Sequence, residues 1–312
     1  MQRLGELAAF GTSVSWTIGA LVMEKSVNRV GVMAVNTMKV AFACVYLAVF
    51  AYFVNGQFFP LDVGGSAWAF IAASAFFGFV IGDYFLFHAY ALIGSRLSML
   101  LMSVSVPLTA IAAYFIFGEA MGAWALAGMA LCVAGIALTV ISGKSGAEDS
   151  GAGDQTACAA SDAGRSRAGR YAKGVAFGLL SGVCMAAATL CTKRGAAGVD
   201  SVSATQIRIL CAFIGFVAFA VLTRKTGEIR AAIVNPRALV LLAIGGIFGP
   251  FIGVGLLLYA IQHADAGIVS TLSSFPPVLI IPPSILLFGK RVRPGEIAGA
   301  VVAVAGLALL FA

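Results

Sequence analysis

Three charged side chains lie inside long apolar segments of this sequence, where ionisable groups are rare. Lys39 and Arg208 occupy comparable places, within the stretches AVNTMKVAF and SATQIRILC, and Asp83 lies in a third segment. A Lys, Arg or Asp at the centre of a membrane helix costs about 2.5–3.5 kcal/mol on insertion scales, so such a residue is a functional candidate. Lys39 and Arg208 suit binding the negative group of a substrate, or gating. The alternative is snorkelling to lipid headgroups or pairing with a fixed partner.

Asp83 and His88 are the first candidates for proton coupling. A carboxyl group in an apolar cavity binds a proton more readily than in water, and can load and release it during transport. For Asp83 the alternative is a structural ion pair, with Lys39 as the candidate partner. His88 shares a helix face with Tyr84, four residues earlier, whereas Asp83 points about 140° away at about 100° per residue. An Asp–His relay is therefore disfavoured, and a hydrogen-bonded interior role is favoured for His88.

Aromatic and hydroxyl side chains complete the candidate site. Trp16 and Tyr84 are selected as residues that line a substrate cavity, although packing or the aromatic belt of a membrane protein explains such residues more often. Ser103 and Ser274, 171 positions apart, are candidates to hydrogen-bond a substrate or the carbonyls that nearby prolines leave unbonded. Helix bending at those prolines is the favoured interpretation.

The composition excludes a water-soluble fold. Apolar residues make up 61% of the 312 residues and charged residues 11%, with a mean hydropathy of +1.00, against roughly 45–50% and 25% in soluble domains. The net charge of +7 comes from short basic runs between apolar segments, so nucleic acid is not expected as a partner. The six cysteines show no metal-ligand spacing, and the G-x-S-x-G, H-E-x-x-H and Walker motifs are absent from the sequence. Neither an enzyme nor a metal or other cofactor is predicted.

Ten apolar segments are long enough to cross a bilayer, which takes about 20 residues per helix. Helices are predicted because a lipid-exposed backbone must satisfy its own hydrogen bonds and the alternation of barrel strands is missing. The predicted fold class is therefore all-α integral membrane, with ten transmembrane helices. The segments are 4–23, 32–54, 67–93, 97–118, 122–142, 172–192, 202–223, 238–262, 266–289 and 295–312.

The chain repeats itself at a distance of 171 residues. Sixteen residues between Phe77 and Leu138 recur at that spacing without a gap. The repeat predicts two five-helix halves, 1–142 and 172–312, joined by a flexible polar linker at 143–171 that is rich in Gly, Ala, Ser and Asp. Because five is odd, the second half enters the membrane from the opposite side. Such inverted repeats place a binding site at their interface near mid-membrane.

The distribution of basic residues predicts an orientation. Lys and Arg total 15 in the loops after segments one, three, five, seven and nine, against three at the termini and in the other loops. The positive-inside rule then puts the five richer loops in the cytoplasm and both termini outside.

Several motifs resemble those of the EamA-like family of the drug/metabolite transporter superfamily. The sequence FGE at 117–119 closes the fourth segment, and Gly128 and Gly135 are spaced along the fifth. The proline in the fourth segment and the basic residue in the second also fit. The resemblance covers both halves and implies a ten-helix carrier of small metabolites, driven by a proton gradient or by exchange. Family members commonly keep both termini in the cytoplasm, opposite to the charge count.

The resemblance also adds one residue to the proton-coupling candidates. The family's Gly-Glu motif falls on Gly118 and Glu119 in the first half, where an anchoring role at the helix end is the alternative for Glu119. Gly289 and Lys290 stand at the matching place of the second half. A function that requires both acids is therefore not expected.

The sequence as a whole predicts a secondary active transporter, an exporter or exchanger of a small metabolite such as an amino acid, in the cell inner (plasma) membrane. Rocking of one half against the other would alternate access to the site. The expected partners are the substrate, H+ as a candidate coupling ion, and the lipid bilayer, with the chain a monomer or homodimer. A non-transporting scaffold or receptor-type membrane protein is the alternative, and a membrane enzyme is a third hypothesis.

Overall fold

The computed structural model describes residues 2–56, 58, 63–118, 122–149, 157–195, 198–263, 272–273, 275–288 and 294–310. These residues form helices joined by short turns, and this part of the chain contains no strand. The α-helices of the first half are α1 (Gln2–Val30), α2 (Val32–Asn55), α3 (Gly65–Ala75), α4 (Tyr84–Ile93), α5 (Ser95–Met102), α6 (Ser105–Phe117) and α7 (Ala123–Asp149). Those of the second half are α8 (Ala157–Gly195), α9 (Ser201–Leu222), α10 (Thr226–Val234), α11 (Pro236–Gly246), α12 (Ile252–His263), α13 (Pro276–Leu279), α14 (Ile281–Phe288) and α15 (Pro294–Leu310).

Eight helical stretches in the described ranges are long and apolar enough to cross a membrane. They are Arg3–Val30, Val32–Val54, Gly65–Ile93, Ser95–Phe117, Ala123–Ser142, Ala168–Gly195, Val202–Leu222 and Pro236–Leu257. Two shorter apolar helices, Pro276–Leu286 and Pro294–Leu309, follow where the sequence predicts the ninth and tenth segments. The helical fold class is thus confirmed, with eight helices of spanning length where ten are predicted.

Two polar regions are more helical than the sequence predicts. Helix α7 continues to Asp149 and α8 begins at Ala157, so both run into the segment predicted as a flexible linker. Ala and Arg are good helix formers, and they are frequent on the α8 side of that segment. Helix α10 lies between the seventh and eighth apolar segments, where the sequence predicts a loop.

Several helix ends follow directly from the local sequence. The Asp200 carboxylate accepts a hydrogen bond from the Ser203 amide at 3.0 Å and caps α9. The Asn235 side chain caps α11 in the same way, with Pro236 at the first helical position, where its missing N–H costs nothing. Helix α2 ends at Gly56, whose φ of 69° lies in the left-handed region that glycine adopts freely.

The fourth apolar segment is bent where its proline stands. Pro107 has no N–H to donate to Ser103, so that carbonyl accepts instead from the Val106 amide at 3.1 Å. The chain turns at 103–104, and α5 and α6 become separate helices. The proline-rich ninth segment is likewise divided, with a break at Ile280 between α13 and α14. Bending at both places agrees with the sequence-based interpretation.

Two stretches of π-helix interrupt the third and eighth segments. They are π1 (Phe76–Asp83), between α3 and α4, and π2 (Ile247–Phe251), between α11 and α12. Their first residues lie 171 positions apart, the spacing of the internal repeat. Wide π turns are rare and occur often at functional sites. The matched pair therefore draws attention to the residues that π1 and π2 carry.

The two halves pack against each other along most of their length. Helix α1 packs on α11 and α12, α2 on α9, α3 and α4 on α8, and α7 on α15. Glycines allow the last pair to touch backbone to backbone: a Cβ added to Gly135 would lie 2.6 Å from the Gly299 carbonyl oxygen. A Cβ on Gly306 would meet the backbone of Gly128 and Cys132 in the same way. Small residues of this kind allow close contact between membrane helices.

Candidate substrate site

Lys39 and Asp83 form a buried ion pair within the first half. The Lys39 Nζ atom on α2 lies 2.6 Å from Oδ2 of Asp83, the last residue of π1. The two side chains are only 9% and 8% exposed. The ammonium also lies 4.5 Å from the centre of the Phe87 ring and 5.9 Å from that of Phe79. This is the pairing that the sequence offered as the alternative to a free, proton-carrying Asp83.

Arg208 on α9 brings a second cation to the same place without an acid of its own. Its Cζ atom lies 5.2 Å from the centre of the Phe79 ring. Arg208 makes no ion pair within the described ranges, and its Nε is buried there without a hydrogen-bond partner. Buried charges in proteins are normally paired and hydrogen-bonded. The guanidinium group therefore has capacity for a further acceptor.

Phe79 links the two cations because its ring is within cation–π distance of both. Asp83 also interacts electrostatically with Arg208, so the three charges belong to one site. Two positive charges and one negative charge leave one positive charge uncompensated by the residues described. A site with this balance is suited to a ligand that supplies a negative group.

The π1 segment positions most of this arrangement. It carries Phe79 and Asp83, and its Gly78 lies beneath the guanidinium: a Cβ there would be 3.7 Å from Nη2 of Arg208 and 2.9 Å from the Cβ of Ala188. A larger residue at position 78 would collide with Ala188 on α8 and would also approach the Arg208 guanidinium group. Sequence reasoning identified Lys39, Arg208 and Asp83, but it did not predict the π turn that brings them to one ring.

Asn36 is a buried polar residue that sequence reasoning missed. It lies on α2 one turn before Lys39 and is fully buried. Its Nδ2 donates to the Val32 carbonyl at 3.2 Å, whereas Oδ1 has no hydrogen-bond partner in the described part of the chain. An amide inside an apolar segment, three residues from a lysine on the same helix face, was the available signal.

Tyr84 and His88 lie together, apart from the ion pair. The His88 Nδ1 atom is 2.7 Å from the Tyr84 carbonyl oxygen, and the two rings are 4.3 Å apart. His88 also packs on Phe177 and Tyr84 on Phe219. The two residues share a face, as their spacing predicts. Among the described residues the Asp83 carboxylate bonds to Lys39 and the His88 ring to the Tyr84 carbonyl, so no hydrogen-bonded relay links Asp83 to His88.

Of the other predicted site residues, one packs against a glycine, one hydrogen-bonds within its own helix, and two lie outside the described residues. The Trp16 indole lies against Gly253, where an added Cβ would collide with it. The Ser103 hydroxyl donates to the Met99 carbonyl at 3.1 Å, within its own helix. Ser274 and Glu119 lie outside the described residues. Trp16 and Ser103 therefore remain predictions as substrate contacts.

A second polar cluster joins the halves near the ends of α1, α5 and α15. The Glu24 carboxylate accepts from the Ser95 amide at 2.9 Å and from its hydroxyl at 2.5 Å, which caps α5. Arg96 forms an ion pair with Glu296 at the start of α15, across the two halves. This cluster is not predictable from the sequence, because its members lie at the ends of apolar segments, where they resemble the charged residues of loops.

No group of three or more His, Cys, Asp or Glu residues within the described ranges has the arrangement of a metal site. The Lys39–Asp83 ion pair and the neighbouring Arg208 lie instead beside aromatic rings.

The sequence profile of the EamA-like transporter family matches residues 3–141 and 172–312. The chain belongs to the EamA-like transporter family. Each half matches separately, which agrees with the internal repeat and with the drug/metabolite transporter superfamily inferred from the motifs. This EamA-like protein is therefore a multi-pass membrane protein of a family of transporters rather than enzymes.

Solved structures show the same fold. Nineteen solved chains are similar to this one. One crystal structure aligns over 99% of this chain and 96% of its own, with a TM-score of 0.63 and 16% sequence identity. At that identity the likeness concerns the fold alone. No curated protein matches the sequence.

Proposed function

We propose that this EamA-like protein is a secondary active transporter of a small organic solute with a negative group, such as an amino acid or a related carboxylate. In this proposal the chain crosses the cytoplasmic membrane ten times. Its five-helix halves, 1–142 and 172–312, have opposite orientations, and the polar segment 143–171 connects them. Transport is export or exchange by alternating access.

The observation that carries the proposal is the unpaired cation beside the Lys39–Asp83 pair. Arg208 is held against Phe79 with its Nε buried and unbonded in the described structure. A guanidinium group binds a carboxylate through two parallel hydrogen bonds, a geometry that lysine lacks. The carboxylate of a substrate would supply the missing acceptor and the missing charge together.

The position of the site supports transport over a purely structural role. Lys39 and Arg208 come from matching helices of the two halves, α2 and α9, and these helices pack on each other. The substrate would therefore bind between the halves, near the middle of the membrane, as in other inverted-repeat transporters. The paired π segments and the bend at 103–104 provide places where the helices could reorganise as access alternates.

Flux into proteoliposomes tests the proposal. The purified protein would be reconstituted and supplied with radiolabelled amino acids and simple carboxylates, with and without a pH gradient or an internal counter-substrate. We expect saturable flux of at least one carboxylate, and we expect Arg208→Gln to reduce it about tenfold or more, since a hydrogen bond to a charged group contributes about 1.5–3 kcal/mol.

Arg237→Gln is the matched control, because Arg237 is exposed at the start of α11 and lies outside the site. It should leave the flux unchanged. Equal loss in both variants would point to a general effect of basic residues on insertion. Absence of flux for every carboxylate and amino acid under all gradients would overturn the proposal and favour a scaffold or receptor-type role.

A further inference from the structure

We infer that Asp83 sets the charge of the substrate, so that the site selects monocarboxylates over dicarboxylates and over neutral analogues. This rests on the proposed function, in which the site binds an organic anion. It assigns to Asp83 a specificity-determining role that differs from proton carriage.

The inference begins with the charge balance of the site. Lys39 and Arg208, both beside the Phe79 ring, contribute two positive charges, and Asp83, which pairs with Lys39 and interacts with Arg208, contributes one negative charge. The described residues therefore leave a net charge of +1. In a water-poor interior an uncompensated charge is costly, and a second like charge is repelled strongly. The ligand that leaves no net charge is a monoanion.

Other ionisable groups near the site do not change this count. Tyr90 on α4 interacts electrostatically with Asp83, but its phenol is neutral at physiological pH. Glu24 also interacts electrostatically with Tyr90, and the Ser95 amide and hydroxyl donate to its carboxylate at the N-terminus of α5. The helix dipole and these hydrogen bonds offset the charge of Glu24 locally. His88 is bonded to the Tyr84 carbonyl on another face of the helix.

The ion pair also limits where a second carboxylate could bind. The Lys39 ammonium has Asp83 on one side and the rings of Phe87 and Phe79 on others, and its side chain is only 9% exposed. A dicarboxylate that used both cations would have to displace Asp83 from Lys39. It would then bury two substrate charges and the Asp83 charge against only two cations.

The aromatic surroundings indicate what the rest of the ligand resembles. Phe79 presents its ring face to both cations, and Phe87 presents its ring face to Lys39. An apolar or aromatic body beside a single carboxylate would pack on these rings, whereas a second charged group would lie against them without a partner. Benzoate, terephthalate and benzamide share one ring and carry charges of −1, −2 and 0, so they are matched probes.

The test measures binding of the three probes to the purified full chain by calorimetry at pH 6. We expect wild type to bind benzoate about tenfold or more tightly than either terephthalate or benzamide. Asp83→Asn raises the site to +2, so its preference should move to terephthalate. Arg208→Gln lowers the site to zero, so benzamide should then bind at least as tightly as benzoate.

A double variant provides the control. Lys39→Met with Asp83→Leu removes the ion pair but keeps the net charge of +1 on Arg208, so the preference for benzoate should persist. If Asp83→Asn keeps the wild-type order of affinities, the inference is wrong although the proposed function survives. If wild type and all variants bind none of the three probes and transport no carboxylate, the proposed function itself fails. Binding of benzoate and terephthalate with equal affinity by wild type also overturns the inference.

Discussion

In the first half, the second and third apolar segments hold a cation and an acid, Lys39 and Asp83, in a buried ion pair. At the matching places the second half has Arg208 and, 171 residues after Asp83, Val254. The duplicated scaffold is shared, since both halves keep the π turn and a glycine at which α7 and α15 meet backbone to backbone. These seam glycines are Gly135 in the first half and Gly306 in the second. The charges have diverged. The first half compensates its cation internally, whereas the cation of the second half has no ion pair within the described residues.

This difference separates two tasks that a symmetric site would combine. The internally paired cation contributes chiefly to the folded structure, because a buried ion pair costs several kcal/mol to break from one side. We expect the unpaired cation to add little to stability and, in the proposed transporter, to bind the substrate. Two kinds of substitution test this difference between the halves. One removes the Lys39–Asp83 ion pair of the first half, and the other changes a glycine that both halves share.

Removing Lys39 should have the largest effect. Lys39→Met leaves the Asp83 carboxylate buried and unpaired, and we expect the free energy of unfolding in lipid bicelles to fall by about 3–5 kcal/mol. Arg208→Met should leave it unchanged or raise it, because no ion pair is lost. The Lys39→Met, Asp83→Leu double variant should recover most of the stability. Equal losses for the Lys39 and Arg208 variants would contradict the asymmetry.

The seam glycines should show the opposite, symmetric behaviour. Gly135 and Gly306 are repeat partners, and an added Cβ at either one meets the backbone of the facing helix. We expect Gly135→Ala and Gly306→Ala each to lower the free energy of unfolding by about 1–3 kcal/mol. Gly122→Ala, at an open position, is the control. A loss in only one of the seam variants would show that the scaffold is not shared equally.

Substitution of the glycine near the start of each π segment should change the free energy of unfolding by different, smaller amounts. A Cβ on Gly78 would lie 2.9 Å from Ala188, whereas its repeat partner Gly249 has open space. Gly78→Ala should therefore cost about 1 kcal/mol or more and weaken carboxylate binding through Arg208, and Gly249→Ala should be neutral. Thermal unfolding and calorimetry measure the two effects. Similar results for both glycines would mean that the crowding around Gly78 has no functional consequence.

The rings beside the cations should have the smallest effects. Phe79 contacts both Lys39 and Arg208, whereas Phe87 contacts Lys39. Each cation–π contact contributes about 0.5–1 kcal/mol, so Phe79→Leu should weaken carboxylate affinity a few-fold. Phe87→Leu should leave affinity near wild type while it lowers stability slightly. Calorimetric titration with benzoate distinguishes the two, and the reverse order would place the ligand on Lys39 instead.

Much of the fold was predictable from the sequence because hydropathy and internal repeats can be recognised along the chain without knowledge of any tertiary contact. The apolar segments, the duplicated halves and the bends at prolines all follow from residue types and spacing. The ninth segment was harder, since its four prolines divide it into short helices. The first apolar segment ends at residue 23, so it does not predict that α1 continues to Val30 with Glu24 and Ser26 buried.

The candidate site was predictable in its members but not in its geometry. Lys39, Asp83 and Arg208 stand out because charges are rare in apolar segments. The partners of Glu24 and Arg96 could not be identified in this way, since charges at segment ends are common and carry no signal of their own. Asn36 was passed over because an uncharged amide is much less conspicuous than a lysine three residues away.

By itself the sequence determined that the chain belongs in a bilayer, that it is built twice from one unit, and which few charges its interior would have to accommodate. Only the tertiary structure decided that Lys39 pairs with Asp83, 44 residues away, while Arg208 lies against Phe79 and forms no ion pair within the described residues. The reason is physical. An apolar segment is buried as soon as it lies in lipid. An ion pair forms only when two helices have the right rotation and the right depth in the membrane, and the packing of the helices determines both.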